Sequence, residues 1–174
     1  MKVVIYMAVT ANGMIAREDN HTDFVSQTEW AAFEAESKRA GNIVIGKKTF
    51  DVCRADGTFP FAGRFNVVMT NEKPANPWGD QVLFTDKTPT QVVEMLKRTR
   101  ADIVFVGGGG TLNAAFLKAG LVDELVLDVM PHVLGKGILL FAPGEFEAKL
   151  RLIQTEKLSR DEIRLRYRVE KGKK

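Results

Sequence analysis

The sequence predicts an α/β fold in which a largely parallel central sheet is covered by helices on both faces. Three observations support this prediction. Short apolar segments recur along the chain, helical patterns lie between several of them, and the last segment instead alternates between apolar and charged residues. Continuous apolar runs are typical of strands buried on both faces, and strands that alternate with helices are typical of parallel sheets.

The apolar runs are interpreted as the interior strands of this sheet. They are Val3 to Val9, Ile43 to Ile45, Phe65 to Met69, Val82 to Phe84, Ile103 to Val106 and Leu125 to Met130. Helical patterns cover Glu29 to Arg39, Thr90 to Arg100 and Thr111 to Ala119.

The carboxyl-terminal segment is predicted to form a half-exposed strand, because apolar and charged residues alternate from Ile163 to Glu170. An earlier stretch near Lys149 to Leu158 is separated from it by the turn-like sequence Ser159-Arg160-Asp161. We expect the two stretches to form an antiparallel hairpin that closes one edge of the sheet.

The composition fits one soluble globular domain that spans residues 1–174. Of the 174 residues, 45% are hydrophobic and 27% are charged, a profile that excludes disorder, collagen and membrane spanning. The apolar amino terminus has almost no basic leader, so it is interpreted as a buried strand rather than a signal peptide. The single Cys53 cannot form an internal disulfide and suits a cytoplasmic location.

The charge balance argues against a nucleic-acid partner. Lys and Arg number 25 against 22 Asp and Glu, a net charge of +3, and the basic residues are dispersed outside the extreme carboxyl terminus. His21, His132 and Cys53 lack the spacing of metal ligands, so no metal site is expected. The serines lack a nucleophile-elbow context, which leaves no hydrolase triad. We therefore expect a small-molecule ligand, and neither nucleic acid nor membrane.

Four consecutive glycines, Gly107 to Gly110, follow a predicted strand and precede a predicted helix that starts at Thr111. Glycines at such a turn let a ligand approach the backbone, and the free N–H groups of the helix start favour a phosphate. A merely tight turn is the alternative, although one or two glycines usually suffice for it. The spacing is not the Rossmann fingerprint, because Leu112 stands at the third glycine position.

A second glycine turn contains Gly46, Lys47, Lys48 and Thr49. With Gly41 it almost matches the phosphate loop of nucleotide hydrolases, but the intervening residues are strand-like and Lys48 stands where Ser or Thr would hold magnesium. The lysines suit an anionic ligand, or else are ordinary surface lysines. Because both turns would lie at carboxyl ends of strands in one sheet, a dinucleotide with two phosphates suits them.

Glu29 is the candidate acid. It lies four residues before Phe33, so the carboxylate and the ring would share one helix face and could line a pocket. The alternative is structural, because Ser26 to Glu29 matches the S/T-x-x-E capping box, in which Glu29 would bond the Ser26 backbone N–H.

Taken together, these segments resemble the dihydrofolate reductase superfamily, which includes the reductase domain of the bifunctional riboflavin-biosynthesis deaminase/reductase. The resemblance covers nearly the whole chain and implies a three-layer fold of the dihydrofolate reductase type. It rests on the order and spacing of Ala8 with Ala11 to Ala16, Glu29 to Phe33, Gly46 to Phe50, Ala62 to Thr70 and Val106 to Leu112.

The resemblance also implies roles for single residues. Glu29 matches the acid that holds the pterin and assists its protonation, and Arg64 matches the arginine that binds the carboxylate of the folate tail. Substrate contacts are further implied for Ala8, Phe24, Phe33, Val106 and Asp128. Contacts to NADPH are implied for Ala8, Ile15, Gly46, Lys47, Lys48, Thr49, Thr70, Asn71, Val106, Gly107, Gly108, Gly109, Gly110, Thr111 and Leu112.

The predicted activity is NADPH-dependent reduction of 7,8-dihydrofolate to tetrahydrofolate by hydride transfer. Two departures point toward the riboflavin-pathway reductase: Pro131 to Gly137, after Leu121 to Leu125, resembles that enzyme, and Asp128 stands where folate enzymes carry threonine. The sequence also departs from the riboflavin-pathway reductase, since Asn12-Gly13 stands where many riboflavin-type relatives have Asp-Gly. The alternatives are therefore a riboflavin-pathway reductase acting on a ribosylamino-pyrimidine phosphate, or a noncatalytic nucleotide-binding domain. Either a monomer or a homodimer is expected.

Overall fold

The computed structural model describes residues 1–171. Its strands are β1 (Lys2–Thr10), β2 (Met14–Ala16), β3 (Asn42–Gly46), β4 (Phe65–Met69), β5 (Val82–Thr85), β6 (Ile103–Val106), β7 (Glu124–Met130), β8 (Ile138–Leu139), β9 (Lys149–Lys157) and β10 (Ile163–Glu170). Its α-helices are α1 (Gln27–Ala40), α2 (Lys47–Ala55), α3 (Pro89–Arg98) and α4 (Gly110–Lys118), and Gly79–Gln81 forms a single turn of 3₁₀ helix.

Eight of these strands form one sheet in the order β5-β4-β3-β6-β1-β7-β10-β9. The pairings from β5 through to β7 are all parallel, whereas β10 runs antiparallel to both β7 and β9. The predicted parallel sheet and its antiparallel carboxyl-terminal hairpin are therefore confirmed. The carboxyl ends of β1, β3 and β6, which are neighbours in the sheet, consequently open onto the same edge.

The sheet separates two apolar clusters, one on each face. Along β1 the side chains alternate, so that Val3 and Ile5 pack in one cluster while Val4 and Tyr6 pack in the other. Helix α4 covers the first face with the buried Phe116, and helix α2 covers the second with the buried Phe50. Covering on both faces explains why the strands are continuously apolar, and it confirms the prediction of helices on both sides.

The helices begin in two different ways. Helices α1 and α3 have side-chain N-caps, since Ser26 accepts from the backbone N–H of Glu29 and Thr88 accepts from that of Gln91. Helices α2 and α4 begin after Gly46 and Gly109, which carry no side chain to cap them. The first N–H groups of α2 and α4 are thus left for another acceptor.

A second, two-stranded sheet joins β2 to β8, which lie far apart in the sequence. Neither strand was expected, because segments of three and two residues are too short to show a period. In residues 1–171 no helix is long and apolar enough to cross a membrane, and no group of three metal-ligating side chains is found.

Candidate active site

A cavity of about 860 Å³ lies at the carboxyl ends of the central strands. Ala8 of β1, Gly46 at the end of β3 and Gly107 just after β6 all line it. Parallel α/β sheets bind ligands at this edge, where the strands end and the following helices begin. The cavity is therefore the candidate active site.

Both glycine turns open into this cavity. The lining includes Gly46 to Thr49 at the start of α2, and Gly107 with Gly109 to Leu112 at the start of α4. A backbone hydrogen bond joins the turns, because the Gly46 N–H donates to the Gly108 carbonyl oxygen at 2.8 Å. The two uncapped helix starts thus face one space, which is the arrangement expected for a ligand with two phosphates.

Close packing accounts for part of the glycine run. Gly108 has a φ of +87°, and a Cβ there would lie 2.7 Å from the Met7 sulfur. A Cβ on Gly110 would lie 2.3 Å from the carbonyl oxygen of Leu139. Gly109 is different, since its added Cβ would meet only Thr49 and Ile15 at ordinary distances. The positive φ of Gly108 and the backbone contact of Gly110 therefore require glycine, whereas a Cβ at Gly109 would make only ordinary contacts.

The two lysines of the α2 turn both line the cavity but are not equivalent. The Lys47 ammonium lies 2.6 Å from Asp51 and 3.3 Å from Glu72, so its charge is partly neutralised. Lys48 is exposed and makes no ion pair with the residues of 1–171. Lys48 is thus the cation that remains available to an anionic ligand.

Glu29 lies in the first turn of α1 and lines the cavity with only 2% of its surface exposed. Its backbone N–H donates to the Ser26 hydroxyl at 3.0 Å, which is half of a capping box. The other half, from the Glu29 side chain to the Ser26 backbone, is not formed, although helix α3 has the complete box. The Glu29 carboxyl is therefore free of the cap and belongs to the cavity.

The surroundings of Glu29 favour its protonated form. Burial raises the pKa of the Glu29 carboxyl to about 8, and the nearby Asp128 and Glu162 act in the same direction, while Arg164 opposes them. Glu29 accordingly holds a proton at neutral pH. A carboxyl group in this state can donate one hydrogen bond and accept another.

Aromatic side chains form the wall next to Glu29. The rings of Trp30 and Phe33 stack with centroids 5.4 Å apart and planes inclined by 24°. Phe33 also meets the Tyr6 ring edge-to-face at 5.7 Å, and all three residues line the cavity. Neither Trp30 nor Tyr6 is among the site residues predicted from the sequence. Trp30 directly follows the candidate acid in the sequence and lies near Phe33, and this position could have indicated that Trp30 lines the site.

Asp128 lies behind this wall rather than in it. The residue is completely buried, does not line the cavity, and accepts a hydrogen bond from the Tyr6 hydroxyl at 2.5 Å. Arg164 donates to both of its oxygens, at 2.8 and 2.7 Å. The substrate contact expected for Asp128 is therefore not made directly, because Tyr6 stands between.

Arg64 is also outside the cavity. Its guanidinium is buried and donates to the hydroxyl of Ser37 and, at 2.8 Å, to the carboxylate of Glu34. Ser37 and Glu34 thus take up the guanidinium N–H groups that would otherwise bind the carboxylate of a folate tail. The structure therefore places Arg64 in a contact between α1 and the loop before β4, not in a ligand site.

Four further predicted residues lie away from the cavity lining. Phe24 packs against Met130 and Leu134, and Val106 is fully buried in the apolar core. The Thr70 hydroxyl accepts from the backbone of Glu72, and Asn71 is exposed. The remaining predicted residues line the cavity, apart from Gly108, whose carbonyl oxygen instead accepts from the Gly46 N–H. They are Ala8, Ile15, Glu29, Phe33, Gly46, Lys47, Lys48, Thr49, Gly107, Gly109, Gly110, Thr111 and Leu112.

The sheet order, the two glycine turns and the buried acid at one cavity define a reductase-type domain of the dihydrofolate reductase-like superfamily. Within it, the chain belongs to the RibD C-terminal domain family, whose model matches residues 1–163. Two relatives come from Bacillus subtilis (strain 168). The uncharacterized protein YwjB is 29% identical over 170 residues, covering 95% of this chain and 97% of YwjB, and the uncharacterized protein YyaP is 23% identical over 176 residues, covering 95% and 94%.

Solved structures show the same fold. A protein from Shewanella sp. PV-4, described provisionally as a riboflavin biosynthesis protein, has a TM-score of 0.82 at 23% identity, covering 98% of this chain and all 100% of that one. The diaminohydroxyphosphoribosylaminopyrimidine deaminase/5-amino-6-(5-phosphoribosylamino)uracil reductase of Thermotoga maritima has a TM-score of 0.75 at 17% identity, covering 97% of this chain but 56% of its own. The family match favours the riboflavin-type alternative and gives no support to the dihydrofolate prediction.

Proposed function

We propose that this protein is an NADPH-dependent reductase of a pyrimidine-type substrate, such as a ribosylamino-pyrimidine phosphate, and that Glu29 supplies the proton. The observation that carries this proposal is that one cavity contains the buried Glu29 carboxyl and both uncapped helix starts. Family membership supports the choice of a pyrimidine over a folate.

The lining fits NADPH on chemical grounds. The helix starts after Gly46 and Gly109 offer free backbone N–H groups and the positive ends of two helix dipoles, which suit the two linked phosphates. Lys48 adds a cation beside the first of these starts. When bound, NADPH supplies the hydride.

Glu29 then orients the substrate and provides the proton. In its protonated form it presents one donor and one acceptor, which match an edge of a pyrimidine that offers an acceptor nitrogen next to a donor. In its ring-opened form, a ribosylamino-pyrimidine carries a C=N bond between the sugar carbon and the exocyclic nitrogen. Its reduction needs a hydride at that carbon and a proton at that nitrogen, and the neutral Glu29 carboxyl would give the proton. Positioned proton transfer contributes about 10²- to 10⁴-fold to the rate.

The aromatic wall complements this polar contact. The stacked rings of Trp30 and Phe33 present a flat apolar surface next to Glu29. A planar heterocycle stacks on such a surface while its polar edge reaches the carboxyl. The wall also keeps water from the acid, which preserves its proton.

The first test measures NADPH oxidation by the purified protein with a ribosylamino-pyrimidine phosphate, with 7,8-dihydrofolate and with neither. We expect oxidation with the pyrimidine and none above background with dihydrofolate. Oxidation with dihydrofolate alone would restore the folate prediction. NADPH binding without oxidation by either compound would instead indicate a noncatalytic nucleotide-binding domain.

The second test is the substitution Glu29→Gln, which keeps the shape of the side chain but cannot supply the proton. Turnover should fall by about 10²- to 10⁴-fold while NADPH binding, measured by fluorescence titration, stays within twofold of wild type, about the scatter expected for an unperturbed site. Glu36→Gln is the matched control, because Glu36 lies on the same helix outside the cavity. Normal turnover in the Glu29 variant would remove the acid from the mechanism.

A further inference from the structure

A cluster of buried ionisable side chains lies directly behind the cavity wall and has no part in the proposed chemistry. The cluster consists of Tyr6, Asp128, Glu162 and Arg164, none of which is more than 7% exposed. Of its members only Tyr6 reaches the cavity. Such a concentration of charge in the interior is costly and calls for a physical role.

Three strands bring the cluster together. Register pairs Asp128 of β7 with Ala8 of β1 on one side and with Arg164 of β10 on the other. Arg164 donates to both oxygens of Asp128, and the Tyr6 hydroxyl donates to one of them. Arg164 also donates to that hydroxyl. Asp128 is thus held at a fixed position by the guanidinium of Arg164 and the hydroxyl of Tyr6.

The cluster and Glu29 together contain three carboxyl groups but one guanidinium. Asp128 takes the guanidinium of Arg164 for itself. Among residues 1–171, no side chain or backbone donor serves the buried Oε2 atom of Glu162, and helix α1 shows no hydrogen bond to the Glu29 carboxyl. Burial without a donor disfavours the ionised form of a carboxyl, and the Glu29 carboxyl therefore retains its proton at neutral pH.

We propose that Asp128 is a positioning residue whose fixed negative charge, held by Arg164 and Tyr6, keeps the catalytic proton on Glu29 at neutral pH. This inference rests on the proposed function in that Glu29 is the proton donor. After burial, the charged groups that act on the pKa of Glu29 come from three parts of the fold: Asp128 on β7, Arg164 on β10 and Glu162 in the turn before β10. Asp128 and Glu162 favour its protonated form, whereas Arg164 opposes it.

The test uses two substitutions near Glu29, one that removes a negative charge and one that removes a positive charge. Asp128→Asn leaves the Arg164 charge uncompensated beside Glu29, so the alkaline limb of the pH profile of turnover should move to lower pH by at least about one unit. Arg164→Gln leaves an excess of negative charge beside Glu29, so the Glu29 carboxyl should release its proton, and the alkaline limb should lie, at higher pH. The double variant should lie between the two, because both charges are gone.

A second readout needs neither substrate nor cofactor. A protonated carboxyl has a C=O stretching band in the infrared, and the band of Glu29 is the one lost in Glu29→Gln. Its pH titration should shift in the same directions as the activity profile. Glu124→Gln is the matched control, since Glu124 pairs with Arg166 between the same two strands at 3.2 Å but belongs to neither the cluster nor the cavity.

Opposite shifts in the two single variants, with an intermediate double variant, would support the proposal. Shifts in the same direction, or a band in Asp128→Asn that titrates as in wild type, would overturn it. If Asp128→Asn does not fold, the sign of the shift in Arg164→Gln still decides. The predicted infrared shifts without any reductase activity would contradict the proposed function but not the control of Glu29 by Asp128.

Discussion

At the residue scale, Glu29 has consequences for activity that depend on pH. With a pKa of about 8, it carries the transferable proton throughout the neutral range and loses it above that value. We therefore expect turnover to fall by about tenfold per pH unit above pH 8. The measurement is a pH profile of turnover at saturating substrate, with the folded fraction checked at each pH. A profile that rises through this range would mean that the ionised carboxylate is the active form.

The same group affects stability. Below its ordinary pKa of 4.5 the Glu29 carboxyl is protonated in both folded and unfolded chains, and above about 8 it is ionised in both. Between these values the unfolded chain binds fewer protons than the folded one, so the free energy of unfolding falls as pH rises, by at most about 1.4 kcal/mol per pH unit. Glu29→Gln should remove this contribution, and its stability relative to wild type should increase from low to high pH. Urea unfolding at several pH values measures the difference, and a pH-independent difference would contradict it.

At the element scale, the turn before α4 limits what can replace its glycines. In Gly110→Ala the new Cβ would collide with the carbonyl oxygen of Leu139, which belongs to backbone and cannot rotate away. We expect a loss of about 1–3 kcal/mol in the free energy of unfolding and weaker NADPH binding. Urea unfolding and a fluorescence titration of NADPH would measure these effects. Gly135→Ala, where a Cβ meets nothing within 4 Å, is the control and should be nearly neutral.

The elements also show how far the sequence could be interpreted. Phe65–Met69 and Ile103–Val106 have the predicted bounds, because each is a short apolar run with clear ends. Helix α2 was not delimited, since its polar and apolar residues give too short a pattern after the lysines. The hydrogen bonds of β2 and β8 connect segments that are separated by more than a hundred residues, and no local pattern can indicate such a pairing.

The site was predicted in the same uneven way. Residues in local motifs, such as the two glycine turns and the Glu29 to Phe33 pair, do line one cavity. Arg64 and Asp128 do not, because each pairs with an oppositely charged side chain on another element, Glu34 in one case and Arg164 in the other. The position of a long or charged side chain depends on which strands are neighbours, and the sequence alone does not reveal that order.

At the scale of the whole molecule, stability is concentrated in the centre of the sheet. Ile5 of β1 is completely buried between two parallel neighbours, whereas Leu152 of the edge strand β9 is 50% exposed. Ile5→Ala should cost about 2–5 kcal/mol in the free energy of unfolding, and Leu152→Ala less than about 1 kcal/mol. Chemical denaturation of both variants would measure the contrast. Equal losses would mean that the edge strand is an integral part of the core.

The hydrogen bond between Gly46 and Gly108 has a consequence for the whole molecule. It ties together two turns that lie about sixty residues apart in the chain, so the spacing of the free backbone amides at the two helix starts is set during folding and not when a ligand binds. A preorganised site loses little conformational entropy on association, and more of the contact energy then appears as affinity. Folding therefore fixes the distance between the two turns before the proposed cofactor binds.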